Sequence, residues 1–135
     1  MSLHADRIAT RTYRAANDRG AEIVVGPSDV PGSFTPGELL QIAVAICAGM
    51  SSDHRLAHAL GPDFDSHLEF GADAVENENR YEHVGVEMNV DTSGLDDAAL
   101  AKLRERALHL ISTNCTVGRT LRTGGDYTVT IDPTR

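Results

Sequence analysis

The 135-residue chain is poor in cysteine, with only Cys47 and Cys115. They stand sixty-eight positions apart, so there is no Cys-x-x-Cys motif and only the fold can bring them together. Positive charge is scarce too: 12 Lys and Arg against 20 Asp and Glu give a net charge of −8. That balance argues against nucleic acid as a partner, since such affinity comes largely from cations neutralising phosphates. It argues equally against an anionic membrane surface. Long apolar runs are missing. The longest, Leu39 to Met50, is interrupted by Gln41 and is too short to span a bilayer. The first ten residues, MSLHADRIAT, are too polar to form the apolar centre of a signal peptide. The expectation is therefore a cytoplasmic protein, in which a functional cysteine pair cycles instead of forming a permanent staple. Internal repeats, low-complexity segments, a glycine-rich phosphate loop and a GxSxG elbow are also absent.

What remains is an ordinary globular composition, 41% hydrophobic and 24% charged, at a length suited to one domain over residues 1–135. Residues 7–14 and 21–25 read as short strands joined by the turn-rich Asn17-Asp18-Arg19-Gly20. Residues 26–34, with two prolines and two glycines, read as a loop. A helix then opens with Thr35 as N-cap, Pro36 at the first helical position and Glu38 completing a capping box. From Leu39 to Met50 its apolar residues surround the axis, so burial is expected on most sides, by a sheet or by a partner subunit. Ser51-Ser52-Asp53 reads as a second N-cap, starting a short helix over 54–61. Two alternating strands follow, with Leu68, Phe70, Ala72 and Ala74 on one face and Val84, Val86, Met88 and Val90 on another. Asp96 or Asp97 starts a helix with the apolar stripe Leu100, Leu103, Ala107, Leu110 and Ile111. One or two helical turns over 115–121 and a last strand through Tyr127, Val129 and Ile131 complete an α+β order.

Each cysteine fits two descriptions. Cys47 is either a small apolar residue of a core helix or a nucleophile. Nothing near it in sequence supplies a positive charge. Cys115 follows Ser112-Thr113-Asn114, all good N-cap types, so its thiol is expected in a helix's first turn, where the dipole favours thiolate. The alternative is a half-buried cysteine at a kink. Arg11, Arg14 and Arg19 lie in or beside the first hairpin, and most such arginines only solubilise. His54 and His58 are spaced i, i+4 beside Asp53, but HExxH is absent and no third ligand is evident, so a solvated face is expected.

TPGELLQIAVAICAGM (35–50) resembles the first cysteine helix of the OsmC/Ohr family, the osmotically induced and organic-hydroperoxide-resistance proteins. In that family the cysteine stands eleven positions after a proline, as Cys47 does after Pro36. CTVGRTL (115–121) is similar to the family's second cysteine segment, and the element order agrees along nearly the whole chain. The resemblance implies an OsmC-like fold, with antiparallel sheets wrapped around central helices in an intertwined homodimer. It implies a thiol peroxidase acting on organic or lipid hydroperoxides, with Cys47 peroxidatic and Cys115 resolving through a Cys47–Cys115 disulfide. It also implies an arginine from the first hairpin, Arg11 or Arg14, and a helix-start glutamate, here Glu38. An external dithiol, of lipoyl type or another small dithiol, would restore the pair, and no metal, flavin or nucleotide is implied. Two positions depart from the family pattern: Gly37 stands where hydroperoxide-resistance members have glutamate, and Thr116 where proline is usual. The rival expectation on the same fold is a non-enzymatic protein that binds or senses oxidation without turnover.

Overall fold

The structure is a computed structural model and describes residues 2–133. The chain is α+β. Its elements are β1 (Leu3–Ala9), β2 (Thr12–Asn17), β3 (Glu22–Val25), α1 (Pro36–Leu60), β4 (Ser66–Val75), β5 (Arg80–Val90), α2 (Asp97–Asn114) and α3 (Thr116–Thr123). It divides into two compact units. One holds the chain up to Ala43 together with Phe70–Val84; the other holds Val44–Glu69 and everything from Gly85 onward. Among the described residues no helix is long and apolar enough to cross a membrane.

In the first unit β1, β2 and β3 form an antiparallel sheet in that order. The turn at Asp18-Arg19-Gly20 forms as its residue types require. Gly20 takes a positive φ of 96°, and the Asn17 side chain accepts the Arg19 and Ala21 amides. The single strand expected over 7–14 is in fact two. The chain reverses at Thr10-Arg11, with Arg11 in the left-handed region at φ 54°. No glycine or asparagine marks that turn, so nothing in the local sequence announced it. Paired residues share a face of the sheet. Arg7, Tyr13 and Val25 therefore line up on one side, and Asp6, Arg14 and Val24 on the other.

The capping box of α1 is as expected. Thr35 N–H donates to Glu38 Oε1 at 2.8 Å, and Glu38 N–H donates to Thr35 Oγ1 at 3.1 Å. The expected break at Ser51-Ser52-Asp53 is not there: α1 runs unbroken for 25 residues. Both serine hydroxyls turn inward along the helix, Ser51 onto the Cys47 carbonyl at 2.8 Å and Ser52 onto the Ala48 carbonyl at 3.0 Å. A serine bonded to the carbonyl four residues back satisfies itself without capping anything. Ser52 is fully buried in that position. The helix ends where expected, at Gly61, whose φ is 105°.

β4 and β5 pair as a hairpin, with Leu68 and Ala72 half-buried on the first strand and Val84, Val86, Met88 and Val90 on the second. The hairpin turn is tighter than the polar segment 76–83 suggested, because β5 already begins at Arg80. Asn77 and Asn79 take positive φ there. In the second unit Asp96 is the N-cap of α2, its Oδ1 accepting the Ala99 amide at 2.8 Å. Leu103 and Ala107 are buried and Leu100, Leu110 and Ile111 half-buried, as the stripe required. The last expected strand does not form. Tyr127, Val129 and Ile131 lie in irregular chain at 84%, 78% and 96% exposure. Their alternation suits a strand, but a strand needs a neighbouring edge for its amides.

Candidate active site

The second unit brings Cys47 and Cys115 together. Cys47 lies on α1, half-buried, and Cys115 is buried at 3% exposure between α2 and α3. Both are free thiols, and each is close enough to move the other's pKa. Residues 112–114 do not cap the next helix; they end α2, and Cys115 itself is the N-cap of α3. Its backbone is extended, at φ −73° and ψ 101°, and its Sγ accepts the Gly118 amide at 3.4 Å. Gly118 leaves room for that sulfur, since a Cβ there would stand 3.2 Å from it.

The expected ionisation of the pair is reversed at Cys115. Burial pushes its thiol up, and the neighbouring Cys47 pushes it further. The thiolate belongs on Cys47. The Val117 backbone amide acts first among the groups that hold its pKa below the ordinary value. It outweighs a burial penalty, and Cys115 S–H, the Thr116 amide and the Ser51 hydroxyl add to it. No side-chain cation is among these groups. The sequence offered no cation near Cys47, and the missing charge is the N-terminal end of α3, whose first amides have no partner within their own helix. Thr116, which the sequence marks only as a departure from the family pattern, and Val117, which it does not mark, act on Cys47 through their backbone amides. A signal for them existed in the short Thr116–Thr123 helix, but only the fold shows which sulfur it addresses.

On the same stretch of α1, a mostly apolar cavity of about 400 Å³ opens among Ile46, Gly49, Met50, Phe64 and Leu68, with Asp53 also lining it. Cys47 precedes Met50 by three residues, so the two share a side of the helix.

Arg11, Arg14 and Glu38 belong to the first unit. Arg11 lines a cavity of about 990 Å³ with Arg7 and Tyr13, whereas Arg14 stands on the opposite face of the sheet, beside Asp6. Arg19 lies in the turn after β2. Glu38 Oε1 is engaged in the capping box. Gly37 has a local cause as well: a Cβ there would run into the Tyr81 hydroxyl. Gln41 Nε2 lies 3.3 Å from both that hydroxyl and the Gly37 carbonyl, so the three groups fill the space beside the helix start. His54 and His58 are exposed, and among the described residues no group of three His, Cys, Asp or Glu is placed to hold a metal.

The sequence profile of the family described as OsmC-like protein matches residues 27–130. An uncharacterized protein of Mycobacterium tuberculosis is 41% identical over 122 residues, covering 90% of this chain and 89% of that protein. The crystal structure of an OsmC-like protein from Mycoplasma pneumoniae superposes with a TM-score of 0.69 at 11% identity, covering 91% of this chain and 87% of that one. The organic hydroperoxide resistance protein of Bacillus subtilis superposes at 0.54 and 16% identity, over 89% of this chain and 90% of that one. At these identities the likeness of the structures is one of fold.

Proposed function

The chain belongs to the OsmC-like protein family, and from that premise we propose that it is a thiol-dependent peroxidase that reduces organic hydroperoxides. The observation that carries the proposal is the proximity of Cys47 to Cys115 and to the start of α3, whose Val117 and Thr116 amides lower the Cys47 pKa. A peroxidatic thiol must be a thiolate, and a resolving thiol must be close and still protonated when peroxide arrives. The two pKa directions fit that division. The apolar cavity beside Met50 suits the organic part of an alkyl or lipid hydroperoxide.

Cys47 sulfur attacks the distal peroxide oxygen. The O–O bond breaks, an S–O bond forms, and the alkoxide departs as the alcohol after taking a proton. Cys115 then displaces the sulfenic oxygen as water, leaving the Cys47–Cys115 disulfide. Two electrons from an external dithiol, of lipoyl type or another small dithiol, restore both thiols. Arg14 or Arg11 is the arginine that the family assigns to the thiol, and Glu38 the helix-start glutamate. A homodimer completes the assembly. It is supported by Ile46 and Met50, 48% and 74% exposed on an otherwise apolar stretch of α1, and by the uncovered Tyr127, Val129 and Ile131. Light scattering at micromolar concentration is expected to find twice the chain mass; a stable folded monomer would refute the dimer.

One observation favours a second reading, a sensor on the same fold. Gly37 excludes a side chain at its position, and Glu38 is occupied as a cap. Turnover separates the two. With an alkyl hydroperoxide and excess dithiol, many equivalents of peroxide should be consumed per chain, and mass spectrometry should show the Cys47–Cys115 disulfide when dithiol is withheld. Cys47→Ser should consume none. Consumption that stops at one equivalent despite dithiol identifies the sensor, and two free thiols after peroxide treatment sink both.

A further inference from the structure

The peroxide step releases an alkoxide, and a strong base leaving a partly buried site needs a proton at that moment. We propose that Cys115 is the acid of this step as well as the resolving thiol, and that losing its proton is what makes it a nucleophile. The inference rests on the peroxidase reading above.

The donors around the Cys47 sulfur decide the matter by their chemistry. The groups that favour its thiolate are the Val117 and Thr116 amides, the Cys115 thiol and the Ser51 hydroxyl, whose own proton is held by the Cys47 carbonyl at 2.8 Å. Amides do not release protons at this pH, and a serine hydroxyl is a far weaker acid than a thiol. Cys115 S–H is the acidic member, and it neighbours the attacking sulfur closely enough for each thiol to move the other's pKa. A proton beside that sulfur is within reach of the peroxide that the sulfur attacks.

The other half of the requirement is a place for the charge that the proton leaves behind. Cys115 is 3% exposed, and a bare thiolate so buried is costly. Here Sγ sits at the N-cap of an eight-residue helix with the Gly118 amide already 3.4 Å away. A neutral sulfur is a weak acceptor, so that amide gains most when the sulfur becomes an anion. The absence of a Cβ at 118 keeps the sulfur and the amide in line.

The steps balance. Cys47 thiolate, Cys115 thiol and ROOH give Cys47 sulfenic acid, ROH and Cys115 thiolate. The O–O bond breaks, the S–O bond forms, and the Cys115 proton ends on the alcohol. Cys115 thiolate then attacks the sulfenic sulfur. The S–S bond forms, the S–O bond breaks, and hydroxide leaves and takes a proton from solvent. Cys115 thus becomes reactive only after peroxide has been cleaved.

The test uses the full chain and two oxidants. An alkyl hydroperoxide such as tert-butyl hydroperoxide needs a proton on its leaving oxygen. A peroxycarboxylic acid, whose carboxylate leaves unaided, needs none. Single-turnover formation of the Cys47 sulfenic acid is followed in wild type, Cys115→Ser and Cys115→Ala, each first shown to melt as a folded protein. Both variants should react with the alkyl hydroperoxide about 10²-fold more slowly than wild type, the usual worth of a general acid, and with the peracid at nearly the wild-type rate. Equal slowing with both oxidants would mean that Cys115 only supports the thiolate, and no slowing would mean that it only resolves; either result overturns the proposal while leaving the peroxidase intact. A wild-type protein inert to both oxidants would instead remove the peroxidase reading, and this inference with it.

Discussion

Cys47 lies on the side of a 25-residue helix, and Cys115 at the start of an eight-residue one. By local sequence the second position is the better one for a thiolate, because a helix start carries free amides and a positive dipole end. The fold gives the thiolate to the first position. Cys115, as N-cap, accepts the Gly118 amide on its sulfur, and burial opposes its ionisation more than the Gly118 and Val117 amides favour it. The Val117 amide is the largest influence on Cys47 and the Thr116 amide adds to it. A helix terminus serves the group that lies over it, which need not be the residue that begins it.

The contrast extends to the first unit, where the family's side-chain helpers are expected, and it can be broken most sharply there. If the hairpin arginine serves the thiol, Arg14→Ala or Arg11→Ala should slow peroxide attack by up to about 10²-fold, the worth of one strong donor at developing charge, with lysine rescuing only in part. Stopped-flow rates for the four variants decide it. No change in any of them would leave the thiolate supported by the α3 amides, Cys115 and Ser51 without an arginine.

Thr116→Pro sharpens the comparison at smaller cost. Residue 116 is the first helical position, where proline fits, and the extended Cys115 is the conformation that a residue before proline prefers. The change therefore deletes one N–H and leaves the helix. Peroxide attack should slow about tenfold, consistent with losing one hydrogen bond to a charged group. The pH dependence should move with it. The Cys47 pKa is lowered, so its alkylation should reach half-maximum below the ordinary thiol value of 9.0, and Cys115, with its pKa raised, only above it. In Thr116→Pro the two midpoints should approach each other. Unchanged midpoints would show that the Thr116 amide does not support the thiolate.

The smallest expected effect is one of stability. Gly37→Ala gains up to about 1 kcal/mol of helix propensity but must displace the Tyr81 ring, and overpacking costs about 1–3 kcal/mol. Net destabilisation is expected in the wild-type background. In Tyr81→Phe, where the hydroxyl is gone and only the ring edge at 3.0 and 3.3 Å still meets the Cβ, the same substitution should cost less. Thermal melts of the double-mutant cycle read the sign, and equal costs in both backgrounds would mean that Tyr81 is not why glycine stands at 37.

Chain chemistry alone determined the features whose causes lie within a few residues. The Thr35–Glu38 capping box, the Gly61 stop, the Asp18-Arg19-Gly20 turn and the buried stripe of α2 all follow from neighbours along the chain, and all were legible. The α+β class and the family resemblance rest on the same local patterns. Tertiary structure decided where several local choices compete. Ser51 and Ser52 read as a cap, yet their hydroxyls close onto Cys47 and Ala48, because burial of Ser52 favours a continuous helix. The Thr10-Arg11 turn uses a residue that seldom takes positive φ, held by the pairing of β1 with β2. Tyr127, Val129 and Ile131 alternate like a strand and pair with no edge among the described residues. The ionisation of the two cysteines depends on amides seventy positions from Cys47, and no pattern in a sequence says which sulfur an amide will face.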